Sequence, residues 1–419
     1  MFKSKVWLAI IVGLLIALVL PACSQAAKPA ATPAAPAATT APAAQTAPIK
    51  IGVIAPLTGA FAEQGQDIIE SFKIAMDDVN YTAGGRKIQL IIEDTEGKPA
   101  TGVSKAKKLV EVDKVDFLVG PYASAVALAV RNYVHDQKVP LVIPGGGTAM
   151  SLSYADKSPW VWRCSAAAGQ FLIGFPTFLA KDMGYKKLIL VVQDSPAGRD
   201  NVTLYTKEFE LAGGKVIQVV TTPIGTLDFA PYFPQFNSSA DVVAAEITGT
   251  DSFRFMQQYK DYNMWSKFPL VGAAVIIDES IDVAGDAAVG IKGSMNYCFN
   301  LDTPANKNFA TKYQAKLGRH PGHLSPASYE AGQAVIFALN KINGKISTDT
   351  ADRQSFLAAL SQAKFDGPRG PFSFEQETQT AINTVYFREV IKQDGKYTFK
   401  IFGTHPNVKV SDVAKLLAQ

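Results

Sequence analysis

Apolar and polar residues fall along this chain in two alternating kinds of block. From Lys50 onward, short runs rich in Val, Ile and Leu (KIGVIAP, KIQLIIED, DFLVGP, VPLVIPG) are separated by longer stretches in which apolar residues recur every three or four positions. Within residues 63–80, Phe72, Ala75, Met76 and Val79 share one face, the spacing of a helix. Further helices are predicted around 101–112 and 124–135. The pattern then restarts: a helix at 170–183, KKLILVVQD, a helix at 198–211, GKVIQVV, DVVAAEI, a helix at 252–262 and FPLVGAAVI. GIKGSMNYCFN, helices near 305–317 and 325–341, TVYFREV and YTFKIF follow and are to be shared out between two sheets. A strand wetted on one face would alternate polar with apolar residues, whereas these runs are continuous, so each sheet is predicted to be parallel and covered on both faces. The expected fold class is α/β: two doubly wound parallel-sheet domains facing each other, the chain crossing between them several times.

The first fifty residues stand apart. Residues 1–22 carry Lys3 and Lys5 before an apolar run from Val6 to Leu20, the layout of a secretory signal peptide. The run ends in Leu20-Pro21-Ala22-Cys23, which resembles the lipobox of bacterial lipoproteins, with Pro21 a departure from its usual pattern. That resemblance implies a lipidated Cys23 and an extracytoplasmic, membrane-anchored protein; an ordinary signal with an incidental cysteine is the alternative. Residues 23–48 are almost wholly Ala, Pro, Thr and Gln, with too little apolar surface to fold, and read as an extended tether.

Without Lys3 and Lys5, 39 basic side chains stand against 37 acidic ones, so no charge excess points to nucleic acid. The chain lacks G-x-S-x-G, H-E-x-x-H, a Walker-type loop and G-x-G-x-x-G, so no enzyme class is indicated. The one H-x-x-H, His320 and His323 in RHPGH, is broken by Pro321 and Gly322 into a turn, and neither a metal site nor a cofactor is expected.

Open parallel sheets bind ligands beyond the carboxyl ends of their strands. Those ends are the loops APLTGAFAEQGQ after Ile54, PYASAV after Gly120, PGGGTA after Ile143, DSPAGRD after Val192, TGTDS after Ile247 and AAVIID after Gly272. Ser124, Thr148 and Asp251 can each be read as a helix N-cap or as a ligand group. Gly145, Gly146 and Gly147 let backbone approach a ligand closely and aim N–H groups at it. Several such loops at one sheet edge favour an anion site.

From Ile49 to the last strands the chain resembles the Leu/Ile/Val-binding type of periplasmic solute-binding protein. The matching pieces are KIGVIAPLTGAFAEQGQ, VDKVDFLVGPYASA, VPLVIPGGGT, WVWRCS, GYKKLILVVQDSPAGRD and SPASYEAGQAVIFAL. The resemblance implies the type I periplasmic binding fold with three crossovers. An N-terminal domain would span 49–163 plus 298–370, and a C-terminal domain 164–297 plus 371–419. It implies a monomeric, non-enzymatic binder that hands a small ligand to the permease subunits of an ABC importer; a sensor signalling to a membrane receptor shares the same fold. It further implies that Tyr122, Ala123, Ser124 and the 145–148 loop hold a ligand carboxylate, that Phe61 and Gln64 cover its body, and that Thr248, Thr250 and Asp251 face it from the second domain. Amino-acid binders place an acid where this chain has Ala274 and often a tyrosine where it has Ala197. An ammonium without a partner costs several kcal/mol in a closed cleft, so a carboxylate lacking an ammonium, aromatic or branched, is expected, with Asp251 either a substitute counter-charge or a cap. Cys164 and Cys298 fall on the first and second crossovers, a candidate disulfide or two buried thiols.

Overall fold

The computed structural model describes residues 47–272 and 281–419. The signal segment, Cys23, nearly all of the tether and Ala274 lie outside the described residues. Among the described residues, no helix is long and apolar enough to cross a membrane.

Ile49–Ala55 lies inside the first sheet, between Arg86–Asp94 and Phe117–Val119, with Leu141–Ile143 and Val161–Arg163 beyond, all five parallel. Its Ile51 and Val53 enter one core while Ile54 enters the other, so this strand has no solvent face, which is why it reads as an unbroken apolar run. Ala62–Asp77 and Ser325–Lys341 cover the first of these cores with Phe72, Ala75, Ala334 and Val335. Pro99–Lys107 and Ser124–Gln137 cover the second with Ala106, Val126 and Val130.

The second sheet repeats the plan. Lys187–Gln193 lies between Lys215–Thr222 and Val242–Glu246, followed by Leu270–Val271 and Lys292–Met295. Leu188 and Leu190 pack with Leu204 and Phe209 of Pro196–Leu211, and Ile189 and Val191 with Phe255 and Tyr259 of Thr250–Asp261. In each sheet the strand order reverses beside the first strand, so loops at the carboxyl ends part to either side and leave a crevice there.

Several elements differ from expectation. The helix predicted at 170–183 is confined to Phe175–Lys181, because Gly174 has φ of 84° and Pro176 in the first turn has no N–H to bond backward. The stretch at 101–112 is the helix Pro99–Lys107 followed by a wider π turn, Lys108–Val112. Thr350–Leu360 and Val410–Leu417 are additional helices. Asn383–Gln393 and Lys396–Val408 form a long antiparallel ribbon on the edge of the second sheet, so that sheet is parallel only in its first five strands. The expected boundary at 370/371 is also displaced: Phe374–Glu375 and Thr380–Ala381 pair with each other and onto Val161–Arg163 in the first sheet, which moves the third crossover to residues 381–383.

The candidate disulfide is absent: Cys164 and Cys298 are both free and buried. Each thiol packs into a different domain's core, Cys164 with Trp160 and Trp162 and Cys298 with Tyr297 and Phe399, and burial pushes the Cys164 thiol's pKa up. What does tie the crossovers together is Arg369. Its guanidinium donates to the Glu330 carboxylate, to Asn383 Oδ1 at 2.7 Å and to the Cys164 carbonyl at 2.7 Å, while Asn296 Nδ2 donates to the same Asn383 oxygen at 3.1 Å. One buried cation thus engages the first and third crossover segments directly and the second through Asn383.

Candidate functional site

Between the two sheets lies a cavity of about 360 Å³. Of the expected site residues, Phe61, Tyr122, Ala123, Ser124, Gly146, Gly147, Thr148, Ala197 and Thr248 line it. Gln64, Gly145, Thr250 and Asp251 do not.

The first-domain wall starts from the helix Ser124–Gln137. Ala123, not Ser124, is its N-cap residue, and among the described residues no side chain caps it. The first turn of a helix has N–H groups without intrahelical acceptors and the positive end of the helix dipole, and here that end borders the cavity. Ser124 Oγ accepts from the Ala149 N–H at 3.2 Å, which leaves its own proton to donate. Thr148 is likewise not a cap, since Ala149 holds that place before the short turn Met150–Ser153; its side chain belongs to the cavity wall. The glycine loop acts differently from the expectation that its N–H groups all face a ligand. The Gly147 N–H donates to the Tyr122 carbonyl at 2.5 Å, locking the two loops together. Gly146 has φ of +74°, and a Cβ there would lie 2.4 Å from the Tyr122 carbonyl oxygen, so only glycine lets the loops run in contact. Gly145 sits behind the wall, toward Ser328 and Leu324.

Behind this loop is a group the sequence reading missed. Arg163 is buried and donates to the Gly147 carbonyl at 2.9 Å and to the Ala149 carbonyl at 3.0 Å. Burial pulls its pKa down to about 9, so it remains a cation at neutral pH. A charged residue in the otherwise apolar strand WVWRCS was the available signal. Phe61 meets the Tyr122 ring edge-on at 5.0 Å and, with Leu324, supplies an apolar surface beside the donors. Gln64 falls on the inward face of its helix with Asp67 and Ser71, three to four residues apart, and is fully buried away from the cavity.

The second-domain wall is built from Gln193, Ser195, Ala197, Asn201, Glu246, Thr248 and Asn296, with Phe171, Ile224 and Met295 as apolar members. Its helix, Pro196–Leu211, is capped: Ser195 Oγ accepts from the Gly198 N–H at 2.9 Å. Asp251 is neither cap nor wall. It is the second residue of Thr250–Asp261, whose N-cap is Gly249, and its carboxylate accepts from Gln193 Nε2 at 2.9 Å and the Gly225 N–H at 2.8 Å. Gln193 in turn accepts from the Thr248 N–H and hydroxyl, so Asp251 positions two wall residues from behind. Thr250 accepts from Arg254 on its own helix. Among the described residues, Glu246 is a buried acid of this wall, and no Lys or Arg lines the cavity. The walls also meet directly: the Met150 N–H of the first domain donates to the Asp200 carboxylate of the second at 2.8 Å, and Gly249 lies against Phe61. Among the described residues, no cluster of His, Cys, Asp and Glu is placed to hold a metal ion.

A cavity lies between two doubly wound sheets, with donors on one side. Residues 48–396 match the family model described as periplasmic binding protein. The Leu/Ile/Val-binding protein homolog 6 of Brucella abortus (strain 2308) is 30% identical over 357 residues, covering 83% of this chain and 89% of the relative. A solute-binding protein of an ABC transporter from Rhodopseudomonas palustris BisB5, solved with 3,4-dihydroxybenzoic acid, is 28% identical with a TM-score of 0.81, covering 87% of this chain and 99% of that one. An R. palustris solute-binding protein solved with 4-hydroxybenzoate is also 28% identical with a TM-score of 0.81, covering 88% of this chain and 100% of that one. With the two like-ordered sheets, the crossovers and the intervening cavity, these matches establish that the chain belongs to the periplasmic binding protein family and has its type I fold.

Proposed function

We propose that the protein is the extracytoplasmic substrate-binding component of an ABC importer, anchored through a lipidated Cys23, that captures a small aromatic carboxylate by closing its two domains upon it. The observation that carries this reading is the side-chain-uncapped N-terminus of Ser124–Gln137 opening on a cavity that also contains Phe61, Tyr122, Phe171 and Leu324. The carboxylate accepts from first-turn N–H groups and from the Ser124 and Thr148 hydroxyls, while the buried Arg163 supplies positive potential through the loop it braces. The ring lies among the aromatic and aliphatic side chains, where each Å² of apolar surface removed from water contributes about 25 cal/mol. The ligands of the two R. palustris proteins, both aromatic acids without an ammonium group, support this class.

Closure follows from the ligand touching both walls. The Met150–Asp200 bond and the Gly249–Phe61 contact are available only when the walls are close, and a ligand with partners on each side stabilises that arrangement over the open one. The three crossovers around Arg369 provide the pivot. A thermal-shift and calorimetric screen of benzoates, branched aliphatic acids and L-amino acids against residues 23–419 tests the ligand class. A benzoate at about a hundred times its Kd stabilises the fold by roughly 2.7 kcal/mol. Tighter binding of an α-amino acid than of any benzoate overturns the class. Cys23→Ala abolishes fatty-acid labelling; labelling that persists in the variant excludes the anchor.

A further inference from the structure

We infer that Met150 and Asp200 form a clasp between the two domains that works without ligand, so that the empty protein already populates the closed arrangement; this rests on the closure proposed above and not on the ligand class. The short turn Met150–Ser153 belongs to the first domain, yet its residues are divided between two cores. Ala149 and Leu152 pack in the first-domain cluster with Leu141 and Ile143. Met150, between them, packs instead against the second-domain cluster that contains Phe171, Leu172 and Leu204. Its N–H crosses the same boundary and donates to the Asp200 carboxylate at 2.8 Å.

Arg163 gives the acceptor's charge a purpose. Its guanidinium donates to neutral oxygens, the Gly147 and Ala149 carbonyls and the Ser153 and Thr380 hydroxyls. The negative charge that acts on it from across the boundary is Asp200. Burial raises the Asp200 pKa, and the Met150 N–H and the Arg163 charge work against that rise. Bringing the domains together thus gives a first-domain cation a second-domain counter-charge, and a backbone donor its acceptor. Neither Met150 nor Asp200 lines the cavity. A contact made alike in the empty and loaded closed forms favours closure in both. It therefore raises the apparent affinity of every ligand by one factor, since affinity scales with the fraction of protein in the competent state. Residues that line the cavity discriminate among ligands; this pair does not.

The test is a distance measurement by pulsed electron paramagnetic resonance on ligand-free protein, residues 23–419 with Cys23→Ser. Nitroxide labels are placed through Val112→Cys on the first domain and Leu227→Cys on the second, positions 71% and 70% exposed, while the buried Cys164 and Cys298 stay unlabelled. Asp200→Ala deletes the acceptor. Met150→Pro deletes the donor, at a place suited to proline: Met150 opens its turn, and Ala149 before it has φ of −49° and ψ of 130°. Wild type is expected to give two distances, one of them that of the structure described here. Asp200→Ala and Met150→Pro each lower the closed-to-open ratio about ten-fold or more, as loss of a hydrogen bond to a charged group implies. Asp200→Asn keeps an acceptor without the charge and falls between. Urea unfolding confirms that each variant is folded, and because the two deletions approach the bond from opposite domains, either one alone decides the matter. A ratio unchanged in a folded deletion variant overturns the clasp. A single, open distance in wild type also overturns it and leaves ligand-driven closure standing. One shared distance, that of the closed structure, in wild type and every variant removes closure and clasp together.

Discussion

The two walls of the cavity are built from the same parts and chemically are opposites. Each is the carboxyl edge of a doubly wound sheet with a helix starting at it, Ser124–Gln137 on one side and Pro196–Leu211 on the other. On the first wall no described side chain caps the helix, and a buried cation stands behind the adjoining loop. On the second, Ser195 caps the helix and the buried charge at the wall is the Glu246 carboxylate. A fold that repeats itself thus presents a donor surface facing an acceptor surface. The difference lies in a few residues at strand ends, not in topology.

The largest effect is expected where the first wall depends on glycine. Gly146→Val forces a β-branched residue to positive φ and drives its Cβ onto the Tyr122 carbonyl, which costs about 3 kcal/mol in stability and displaces the donor loop. Urea unfolding reads the first effect, and loss of the ligand-induced thermal shift reads the second. Next comes Arg163→Met, which strips the donors from the Gly147 and Ala149 carbonyls and removes the cation behind the loop. Its cost is about 2–3 kcal/mol of stability, with weaker carboxylate binding as well. Unchanged affinity in a folded Arg163→Met protein would show that the first wall attracts anions by its helix end alone.

Ser124→Ala acts more locally. Losing one hydroxyl donor to a carboxylate weakens binding by about 1.5 kcal/mol, roughly ten-fold, and the Ala149 N–H loses its acceptor at about 1 kcal/mol of stability. A stability loss with no change in Kd would assign Ser124 to the loop and not to the ligand.

How much of this was legible in the sequence depends on the range of the interaction. The strands of both sheets declared themselves because their two-sided burial leaves no polar positions, as in Ile51, Val53 and Ile54. The cavity loops could be named because they follow those strands. Their inner division of labour could not. Whether Asp251 faces the ligand or holds Gln193, and whether the Gly147 N–H serves a ligand or the Tyr122 carbonyl, is decided by residues far apart in the chain. Thr380–Ala381 joins the first sheet through a single registered pair with Arg163, too short a strand for any periodicity to reveal. Arg163 and Glu246 did leave a trace, each the charged residue in an otherwise apolar strand, and both are buried.

The smallest expected effect tests the asymmetry of the helix ends most directly. Ser195→Ala deletes the cap that accepts from the Gly198 N–H, at a cost of about 1 kcal/mol in unfolding free energy, the usual price of a lost N-cap. Affinity for a benzoate is expected to change less than about two-fold, because a shift under 0.4 kcal/mol is what a group outside the carboxylate's contacts should produce. The reason is directional: the proposed carboxylate position is at the first wall, and uncapping the second helix exposes donors beside Glu246, whose negative charge opposes an anion there. The double variant Ser195→Ala with Glu246→Gln removes both the cap and that opposition. If the walls differ only by these two groups, this variant gains affinity for a dicarboxylate such as terephthalate, with one acid at each helix end, while wild type and either single variant do not. Terephthalate binding by wild type as tight as benzoate binding would show that the second wall already receives anions and would end the contrast between them.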